Sequence, residues 1–229
     1  SNRDLWEAAI AEELESLREA GTWDVVEVPR GAKVFPSRFV LKVKRNSDGT
    51  LERRKARLVL LGNLQRPFVD FYDTYAPVAD FVVVRIVLAT ACSKHWIVHQ
   101  LDVKSAFLNG YIDEEIYMQL PPEYARADGK VCKLKRSIYG LRQAPRAWNK
   151  RLCEDLKGSG FKALVNAESV FYGVITGSVV YLIIYVDDIL VASSSETAVL
   201  TAKKSLRELY TIKDLGEAEY FLGVKIERE

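Results

Sequence analysis

The chain has 229 residues, and with 48% hydrophobic residues it can bury a sizeable core as one large domain or two small subdomains. Because 33 lysines and arginines nearly balance 31 aspartates and glutamates, the net charge of +2 predicts neither a nucleic-acid nor a membrane partner. The three cysteines lack metal-ligand spacing and only two histidines are present, which argues against a zinc site and favours reduced thiols in an intracellular protein.

The charges are unevenly distributed along the chain. Residues 33–66 contain ten lysines and arginines against two acids, and residues 130–151 contain eight with no acid. The first 30 residues, by contrast, hold eight acids and three bases. The neutral total therefore hides two basic zones, and a solvated surface is the ordinary interpretation of either zone alone.

The N-terminal third predicts one helix followed by antiparallel strands. Asp4 and Glu7 resemble a capping box, and apolar residues at helical spacing continue until Gly21 ends the helix. The alternating runs WDVVEV, SRFVLKVKR and RKARLVLLG come next. Because turn residues at 29–31 and 46–49 separate these runs, we expect strands joined by hairpins.

The rest of the chain alternates helices with strands. VVVRIVLATACSKH predicts a buried helix, WIVHQLDV a strand that ends near Asp102, and QAPRAWNKRLCEDLKGSG a helix entered through Pro145. Strand pairs with turns at Thr176–Gly177 and Asp187–Asp188 follow, then a helix over about 196–209 and a final strand, AEYFLGVKIE. This order predicts an α+β fold with helices on one face of a sheet and no separately folding second domain.

Two adjacent aspartates, Asp187 and Asp188, interrupt the apolar run YLIIYVDDILVAS, which is too short to cross a bilayer. Buried side by side, two unpaired carboxylates repel each other. If the strand that ends near Asp102 is a neighbour in the same sheet, three carboxylates converge at its edge, where divalent cations relieve the repulsion. Two Mg²⁺ ions in such a site stabilise the attacking and leaving oxygens of an in-line displacement. The alternatives are a solvated hairpin turn for the pair and a helix N-cap for Asp102.

Four sequence blocks follow one another in a specific order: QLDVKSAFLNGYIDEEIYMQLPPEY, KLKRSIYGLRQAPRAWNKRL, LIIYVDDILVAS and IKDLGEAEYFLGVKIE. Together they resemble the reverse transcriptase of copia-type LTR retrotransposons, and RRKARLVLLGNLQ and DTYAPVADFVVVR extend the resemblance to nearly the whole chain. It implies a right-hand polymerase, in which a palm with an antiparallel sheet backed by helices joins a strand-rich fingers subdomain. The implied fingers are residues 1–77 and 110–143, and the implied palm is 78–109 and 144–229. The thumb and RNase H regions of such enzymes are expected to lie outside this chain.

The resemblance also implies a role for each residue near the carboxylates. Asp102 and Asp187 match the aspartates that hold both metal ions, and Asp188 matches a supporting carboxylate. The backbone carbonyl of Val103 would complete one coordination shell. Phe107 matches an aromatic residue under the incoming sugar, where a ribose 2′-hydroxyl would clash, although a core residue of the segment SAFL is its ordinary interpretation.

Further residues are implied to contact the nucleotide. The cations of the predicted fingers hairpin are candidates to bind the triphosphate, and which two reach it stays open: Lys42, Lys44, Lys55 and Arg57. Lys213 matches a lysine near the pyrophosphate or is a surface lysine.

The segment YGLRQAPRAW and two turns are implied to contact the nucleotide, template or primer. Within the segment these residues are Gly140, Arg142, Gln143 and Pro145, and a solvated helix start is the alternative for Arg142 and Arg146. In the two turns they are Tyr185, Val186, Leu222 and Gly223.

The predicted function is an RNA- and DNA-templated DNA polymerase that adds dNTPs to a primer 3′-hydroxyl with two Mg²⁺ ions, for which Mn²⁺ can substitute. The expected partners are RNA/DNA and DNA/DNA primer–templates, dNTPs and other Pol segments such as RNase H and integrase, with no membrane, in cytoplasmic virus-like particles. The alternative is a catalytically inactive or domesticated nucleic-acid-binding or assembly module with a polymerase fold. Another two-metal enzyme, such as a nuclease, agrees poorly with the block order.

Overall fold

A computed structural model describes residues 2–45, 48–122 and 129–227. The helices are α1 (Asn2–Glu19), α2 (Phe81–Ser93), α3 (Ala144–Gly158) and α4 (Glu196–Leu209), with 3₁₀ turns at Gly62–Leu64 and Ala106–Asn109. The strands are β1 (Trp23–Glu27), β2 (Val34–Phe35), β3 (Ser37–Arg45), β4 (Leu51–Leu60), β5 (Ile97–Val103), β6 (Tyr117–Gln119), β7 (Lys130–Leu134), β8 (Lys162–Leu164), β9 (Ala167–Ile175), β10 (Ser178–Tyr185), β11 (Asp188–Ser193), β12 (Ile212–Glu217), β13 (Tyr220–Phe221) and β14 (Val224–Lys225). No helix among these described residues is long and apolar enough to span a membrane.

The chain divides into two compact units. Unit 1 comprises Ser1–Tyr75 and Phe107–Trp148, and unit 2 comprises Ala76–Ala106 and Asn149–Glu229. The mixture of helices and sheets agrees with the predicted α+β class. The names fingers and palm for the two predicted sets of residues stay a prediction.

In unit 1, α1 ends as its glycine predicts but begins earlier than expected. The Gly21 N–H donates to the Arg18 carbonyl and the Thr22 N–H to the Leu17 carbonyl, and Gly21 has a φ of +59°, which together form a Schellman cap. At the other end the helix already includes Asn2, so the predicted capping box at Asp4 is wrong. Asp4 lies in the first turn, where a carboxylate interacts favourably with the helix dipole.

The strands of unit 1 pair partly as hairpins and partly over long distances. β3 and β4 form the predicted antiparallel hairpin, in which the Asp48 carboxylate accepts the Thr50 N–H at 2.8 Å; Asn46 and Ser47 of the predicted turn lie outside the described residues. The turn predicted at 29–31 joins no hairpin, because β1 pairs antiparallel with β7 and β2 pairs parallel with β6. These partners come from much later in the chain, so local pattern does not identify them.

Unit 2 is built on a six-stranded sheet with the order β12-β5-β11-β10-β9-β8, in which every neighbouring pair is antiparallel. β5 and β11 are neighbours, as the carboxylate hypothesis requires. Helices cover both faces, however, so the predicted single helical face is wrong. Val98 and His99 of β5 point to opposite faces; Val98 shares a core cluster with Val84 of α2, whereas Lys203 of α4 lies 2.8 Å from the His99 ring.

Two further predictions about unit 2 need correction. α2 is not buried, because Val82 and Ile86 on its outer side are 61% and 60% exposed. The predicted final strand is instead a short hairpin of β13 and β14. Its turn is Leu222–Gly223, with φ values of 51° and 79° at the two residues. Such paired positive φ values are typical of the tight turns that join antiparallel strands.

Candidate active site

Asp102 and Asp188 lie side by side on neighbouring strands of unit 2. They are directly opposite each other in the antiparallel pair of β5 and β11, so both side chains project from the same face of the sheet. The Val103 N–H donates to the Asp187 carbonyl at 2.8 Å and ties the turn before β11 to the end of β5. Because Asp102 is inside β5 and the following 3₁₀ turn begins at Ala106, the alternative that Asp102 caps a helix is wrong.

The turn between β10 and β11 consists of Val186 and Asp187. Tyr185 pairs with Asp188, so Asp188 is the first residue of β11 and the turn lies one residue earlier than predicted. Val186 has a φ of 55°, a left-handed conformation that crowds its branched side chain. Such strain costs on the order of 1–3 kcal/mol and persists only where the surrounding structure imposes it. The buried strands on either side of the turn provide that constraint.

The carboxylates influence one another electrostatically. Burial raises the pKa of Asp188, a hydrogen bond from Gln100 Nε2 at 3.1 Å opposes this rise, and the negative charges of Asp187 and Asp102 add to it. Gln100 was not predicted as a site residue. Gln100 and Asp102 are two residues apart on one strand, so their side chains lie on the same face of the sheet. This spacing is the feature of the sequence from which Gln100 could have been predicted.

The chemistry of these donors fits a hard divalent cation. Mg²⁺ prefers carboxylate and carbonyl oxygens, and a cation relieves the repulsion that Asp187 and Asp102 exert on Asp188. Within the described ranges, no group of three or more histidine, cysteine, aspartate or glutamate side chains is arranged to hold a metal ion.

Lys213 lies on β12, the strand that pairs with β5. It is opposite Asp102 on β12, so its side chain projects from the same face as both carboxylates. It is also exposed. Its position is thus compatible with both interpretations, a cation beside the carboxylates and a surface lysine.

The other face of the same strands holds a buried polar cluster that the sequence analysis missed. Lys203 of α4 is only 4% exposed, and its Nζ lies 2.6 Å from Asp214 Oδ2 and 2.8 Å from His99 Nδ1. Arg207 contacts Asp214 as well, at 2.8 Å. Burial, followed by the positive charge of Lys203, lowers the pKa of His99. The cluster ties α4 to β12 and β5, the two strands that hold Lys213 and Asp102.

Phe107 lies in the second 3₁₀ turn and belongs to unit 1. It is half-buried against the core of that unit, and its ring meets the Tyr139 ring in a T-shaped contact with centroids 5.0 Å apart. The Ser137 hydroxyl donates to its carbonyl. Part of Phe107 therefore serves the core, as the ordinary interpretation predicts, while its contact with a sugar stays a prediction.

The segment after Tyr139 approaches another backbone closely. Gly140 has a φ of +94°, and a Cβ atom there would lie 2.0 Å from the Leu60 carbonyl oxygen. A Cβ atom on Gly62 would likewise lie 1.9 Å from the Gly140 carbonyl oxygen. Both positions therefore require glycine, and the close approach is to the end of β4.

The side chains of this segment are engaged within unit 1. Gln143 is 3% exposed and its Oε1 accepts from Gln65 Nε2 at 3.0 Å, while Gln65 Oε1 accepts the Arg142 N–H at 2.9 Å. Pro145 occupies the first turn of α3, as expected, and Arg146 forms an ion pair with Asp73 at 3.0 Å. Contacts of these residues with a nucleotide or template stay a prediction.

The four cations of the predicted fingers hairpin share one face of β3 and β4. Lys42 is opposite Lys55, and Lys44 and Arg57 lie two residues from them on their own strands. Burial, followed by the positive charges of Arg57, Lys44 and Arg53, lowers the pKa of Lys55. This face suits the binding of a polyanion.

A family model described as reverse transcriptase (RNA-dependent DNA polymerase) matches residues 20–229. The chain belongs to the reverse transcriptase family. It is 38% identical over 98% of its length to the Retrovirus-related Pol polyprotein from transposon RE1 of Arabidopsis thaliana, of which it covers 16%. It is 38% identical over 96% of its length to that from transposon TNT 1-94 of Nicotiana tabacum, of which it covers 17%. The truncated transposon Ty1-A Gag-Pol polyprotein of Saccharomyces cerevisiae is 30% identical over 95% of the chain, which covers 18% of it.

These relatives confirm the predicted resemblance to copia-type retrotransposon Pol polyproteins. This reverse transcriptase domain spans about one sixth of the curated relatives RE1 and TNT 1-94. The family assignment covers both units, since the matched residues begin at the end of α1 and continue through the β13–β14 hairpin.

Proposed function

We propose that this chain is an RNA- and DNA-templated DNA polymerase region of a copia-like Pol polyprotein. One observation supports this most directly: Asp102 and Asp188 are paired on neighbouring strands of unit 2, with Asp187 in the adjoining turn. The resemblance of the sequence blocks to copia-type reverse transcriptases implies a metal-holding or supporting role for each of these aspartates. The membership of the chain in the reverse transcriptase family makes nucleotidyl transfer the reaction that best accounts for them.

In this reaction the primer 3′-hydroxyl attacks the α-phosphate of a dNTP, a new phosphodiester bond forms, and pyrophosphate leaves. Asp102, Asp187, Asp188 and the Val103 carbonyl would hold two Mg²⁺ or Mn²⁺ ions, which supply activation of the hydroxyl and neutralisation of the leaving group. The protein itself contributes two contacts: Gln100 donates to the Asp188 carboxylate, and the Val103 N–H holds the backbone carbonyl of Asp187 and thereby the turn.

The remaining predicted residues would bind nucleotide and nucleic acid. The cationic face of β3 and β4 would contact the triphosphate, Phe107 the sugar, Lys213 the pyrophosphate, and the segment that contains Gly140 and Gln143 the base pair. The two turns at Val186 and Leu222 would contact the primer. Binding of RNA/DNA and DNA/DNA duplexes through phosphates makes affinity fall steeply with salt. Other Pol segments would act with this one inside cytoplasmic particles.

The test is primer extension on poly(rA)/oligo(dT) with Mg²⁺. We expect Asp187→Asn to lower incorporation by about 10³-fold or more, because it removes one negative charge from the carboxylates proposed to hold the metal ions. Duplex binding measured by fluorescence anisotropy should stay within about twofold, since phosphate contacts dominate affinity. Asp24→Asn is the matched control, because Asp24 is an exposed carboxylate of unit 1 paired with Lys135. Extension by Asp187→Asn at the rate of the control would refute the metal assignment.

The alternative of an inactive nucleic-acid-binding or assembly module is supported by one observation, namely the cationic face of β3 and β4, which suits the binding of a polyanion whether or not the chain is catalytic. The unmodified chain discriminates between the two. A chain that binds the duplex but incorporates no nucleotide with either Mg²⁺ or Mn²⁺ is such a module, and template-dependent incorporation excludes it.

A further inference from the structure

Three side chains of unit 1 form a row of contacts with Tyr139 in the middle. The rings of Tyr139 and Phe107 are 5.0 Å apart between centroids and inclined by 63°. The Arg57 guanidinium lies 4.3 Å from the centroid of the same Tyr139 ring, and Arg57 Nη2 donates to the Tyr139 hydroxyl at 3.2 Å. Tyr139 therefore contacts both the residue expected under the sugar and one expected near the triphosphate.

Each of these contacts restricts its partner. An edge-to-face pair of rings is favourable only within a narrow range of orientations, so the Tyr139 ring limits rotation of Phe107. The guanidinium of Arg57 is attracted to the face of the ring and is also held by the hydroxyl. Arg57 Nε is buried and has no hydrogen-bond partner within the described ranges, so the contacts with Tyr139 matter for its placement.

The backbone around Tyr139 is itself held in place. Its carbonyl accepts the Leu60 N–H at 2.9 Å, and the next residue, Gly140, is pressed against the Leu60 carbonyl. Two residues before Tyr139, Ser137 is fully buried, and its hydroxyl donates to the Phe107 carbonyl. The segment 137–140 thus fixes Phe107 at its backbone and at its ring, and it is anchored to the strand that contains Arg57.

We propose that Tyr139 is a positioning residue for sugar selection: its ring sets the orientation of Phe107, and its hydroxyl holds Arg57. This inference rests on the proposed function, because Phe107 must meet the sugar and Arg57 the triphosphate. The two halves of the side chain then have separable effects. The ring governs discrimination against a 2′-hydroxyl, and the hydroxyl governs nucleotide affinity.

The probes are dUTP and UTP, which both pair with adenine and differ only in the 2′-hydroxyl. Initial rates of oligo(dT) extension on poly(rA) at varied nucleotide concentration give kcat and KM for each. Tyr139→Leu removes the ring, and we expect the ratio of kcat/KM for dUTP to that for UTP to fall about fivefold, in line with the strength of an aromatic pair. Tyr139→Phe keeps the ring, so this ratio should be retained while KM rises about fivefold for both nucleotides at unchanged kcat.

Tyr111→Leu is the matched control. Tyr111 makes the same kind of pair with Arg136, with the guanidinium 4.6 Å from its ring centroid and Arg136 Nη2 donating to its hydroxyl at 3.3 Å. Its loss should leave the dUTP/UTP ratio unchanged. In a double-mutant cycle, Tyr139→Leu should lower the ratio no further once Phe107→Ala has removed the ring that it positions.

The outcomes separate this inference from the proposed function. A chain with no extension activity refutes both. If the chain extends primers and a folded Tyr139→Leu variant, judged by thermal melting, keeps its full dUTP/UTP ratio, the inference alone is wrong. If Tyr139→Leu does not fold, Tyr139→Phe decides. An unchanged KM for both nucleotides in that variant would overturn the role of the hydroxyl. A fall in its dUTP/UTP ratio of kcat/KM would overturn the role of the ring.

Discussion

Two antiparallel hairpins each hold four of the predicted site residues, and they differ in burial. The β10–β11 hairpin of unit 2 is central in a six-stranded sheet, and Ile183, Leu190 and Val191 are fully buried. The β3–β4 hairpin of unit 1 is a two-stranded sheet on which Val40 and Leu41 are 41% and 46% exposed. The same local pattern of strand, turn and strand thus occurs in two different environments.

The difference matches what each hairpin is proposed to hold. Carboxylates that bind metal ions must keep fixed positions, and strands buried on both faces open only with the whole unit. Cations that bind a triphosphate need less precisely fixed positions. A two-stranded ribbon with exposed apolar side chains is a low-stability element, which is compatible with that role. We therefore expect changes in the β10–β11 hairpin to affect the whole of unit 2, and changes in β3–β4 to stay local except at its base.

The base of the exposed hairpin is where the largest effect is expected. Gly140→Ala would place a Cβ atom 2.0 Å from the Leu60 carbonyl oxygen in a residue with a φ of +94°. We expect this to lower the free energy of unfolding by about 3–5 kcal/mol, as the sum of overpacking and left-handed strain. Urea unfolding followed by tryptophan fluorescence measures it.

Gly177→Ala is its control, since Gly177 also has a positive φ, +80°, but no atom within 4 Å of the added Cβ. This variant should lose only about 1–2 kcal/mol. Equal losses in the two variants would show that the contact with Leu60 does not constrain the segment.

Truncation of an apolar side chain should separate the two hairpins directly. Leu190→Ala removes a fully buried side chain and should cost about 3 kcal/mol, whereas Val40→Ala on the exposed hairpin should cost less than about 1 kcal/mol. Urea midpoints of the two variants provide the comparison. Similar losses would contradict the contrast in rigidity.

The smallest effect concerns pH and the polar face of the buried sheet. Burial and Lys203 lower the pKa of His99 in the folded protein, so the unfolded chain binds this proton more readily. Stability should therefore fall as the pH decreases through about 6.5, the ordinary pKa of histidine, and recover above it. Thermal melts of the unmodified chain and of His99→Gln between pH 5 and 8 measure the difference.

His95→Gln serves as the comparison, because His95 is exposed. It should keep the pH dependence of the unmodified chain, while His99→Gln should reduce it. If only His95→Gln lost the pH dependence, the effect would belong to His95 and the prediction for His99 would be wrong.

Local patterns were sufficient for much of the fold. The helix predicted over about 196–209 is α4, and SRFVLKVKR is β3, because periodicity and flanking turn residues are properties of neighbouring positions. The same holds for the turn at Thr176–Gly177, where glycine permits a positive φ. The turn at Leu222–Gly223, by contrast, was implied only by the resemblance, because local pattern predicted one continuous strand there. The partners of β1 and β2 were missed because they come from distant segments.

The candidate site also divides into residues that local sequence revealed and residues that only the structure revealed. The acidic residues were identified from their unusual position in apolar strands, whereas Gln100 and Lys203 were missed because neither residue type is unusual in its own segment. The second helical face of the sheet was missed for a related reason. Strands buried on both faces have nearly continuous apolar sequences, and such sequences do not indicate which helices cover them.

The order of motifs in the sequence by itself determined the family of this protein, and it predicted a polymerase chemistry together with the carboxylates proposed to serve it. Only the tertiary structure decided the register that sets Asp102 opposite Asp188, the cluster behind them and the contact of Tyr139 with Phe107 and Arg57. The physical reason is that helices, strands and turns follow from interactions between near neighbours, whereas register and side-chain contacts between distant segments depend on how the whole core packs.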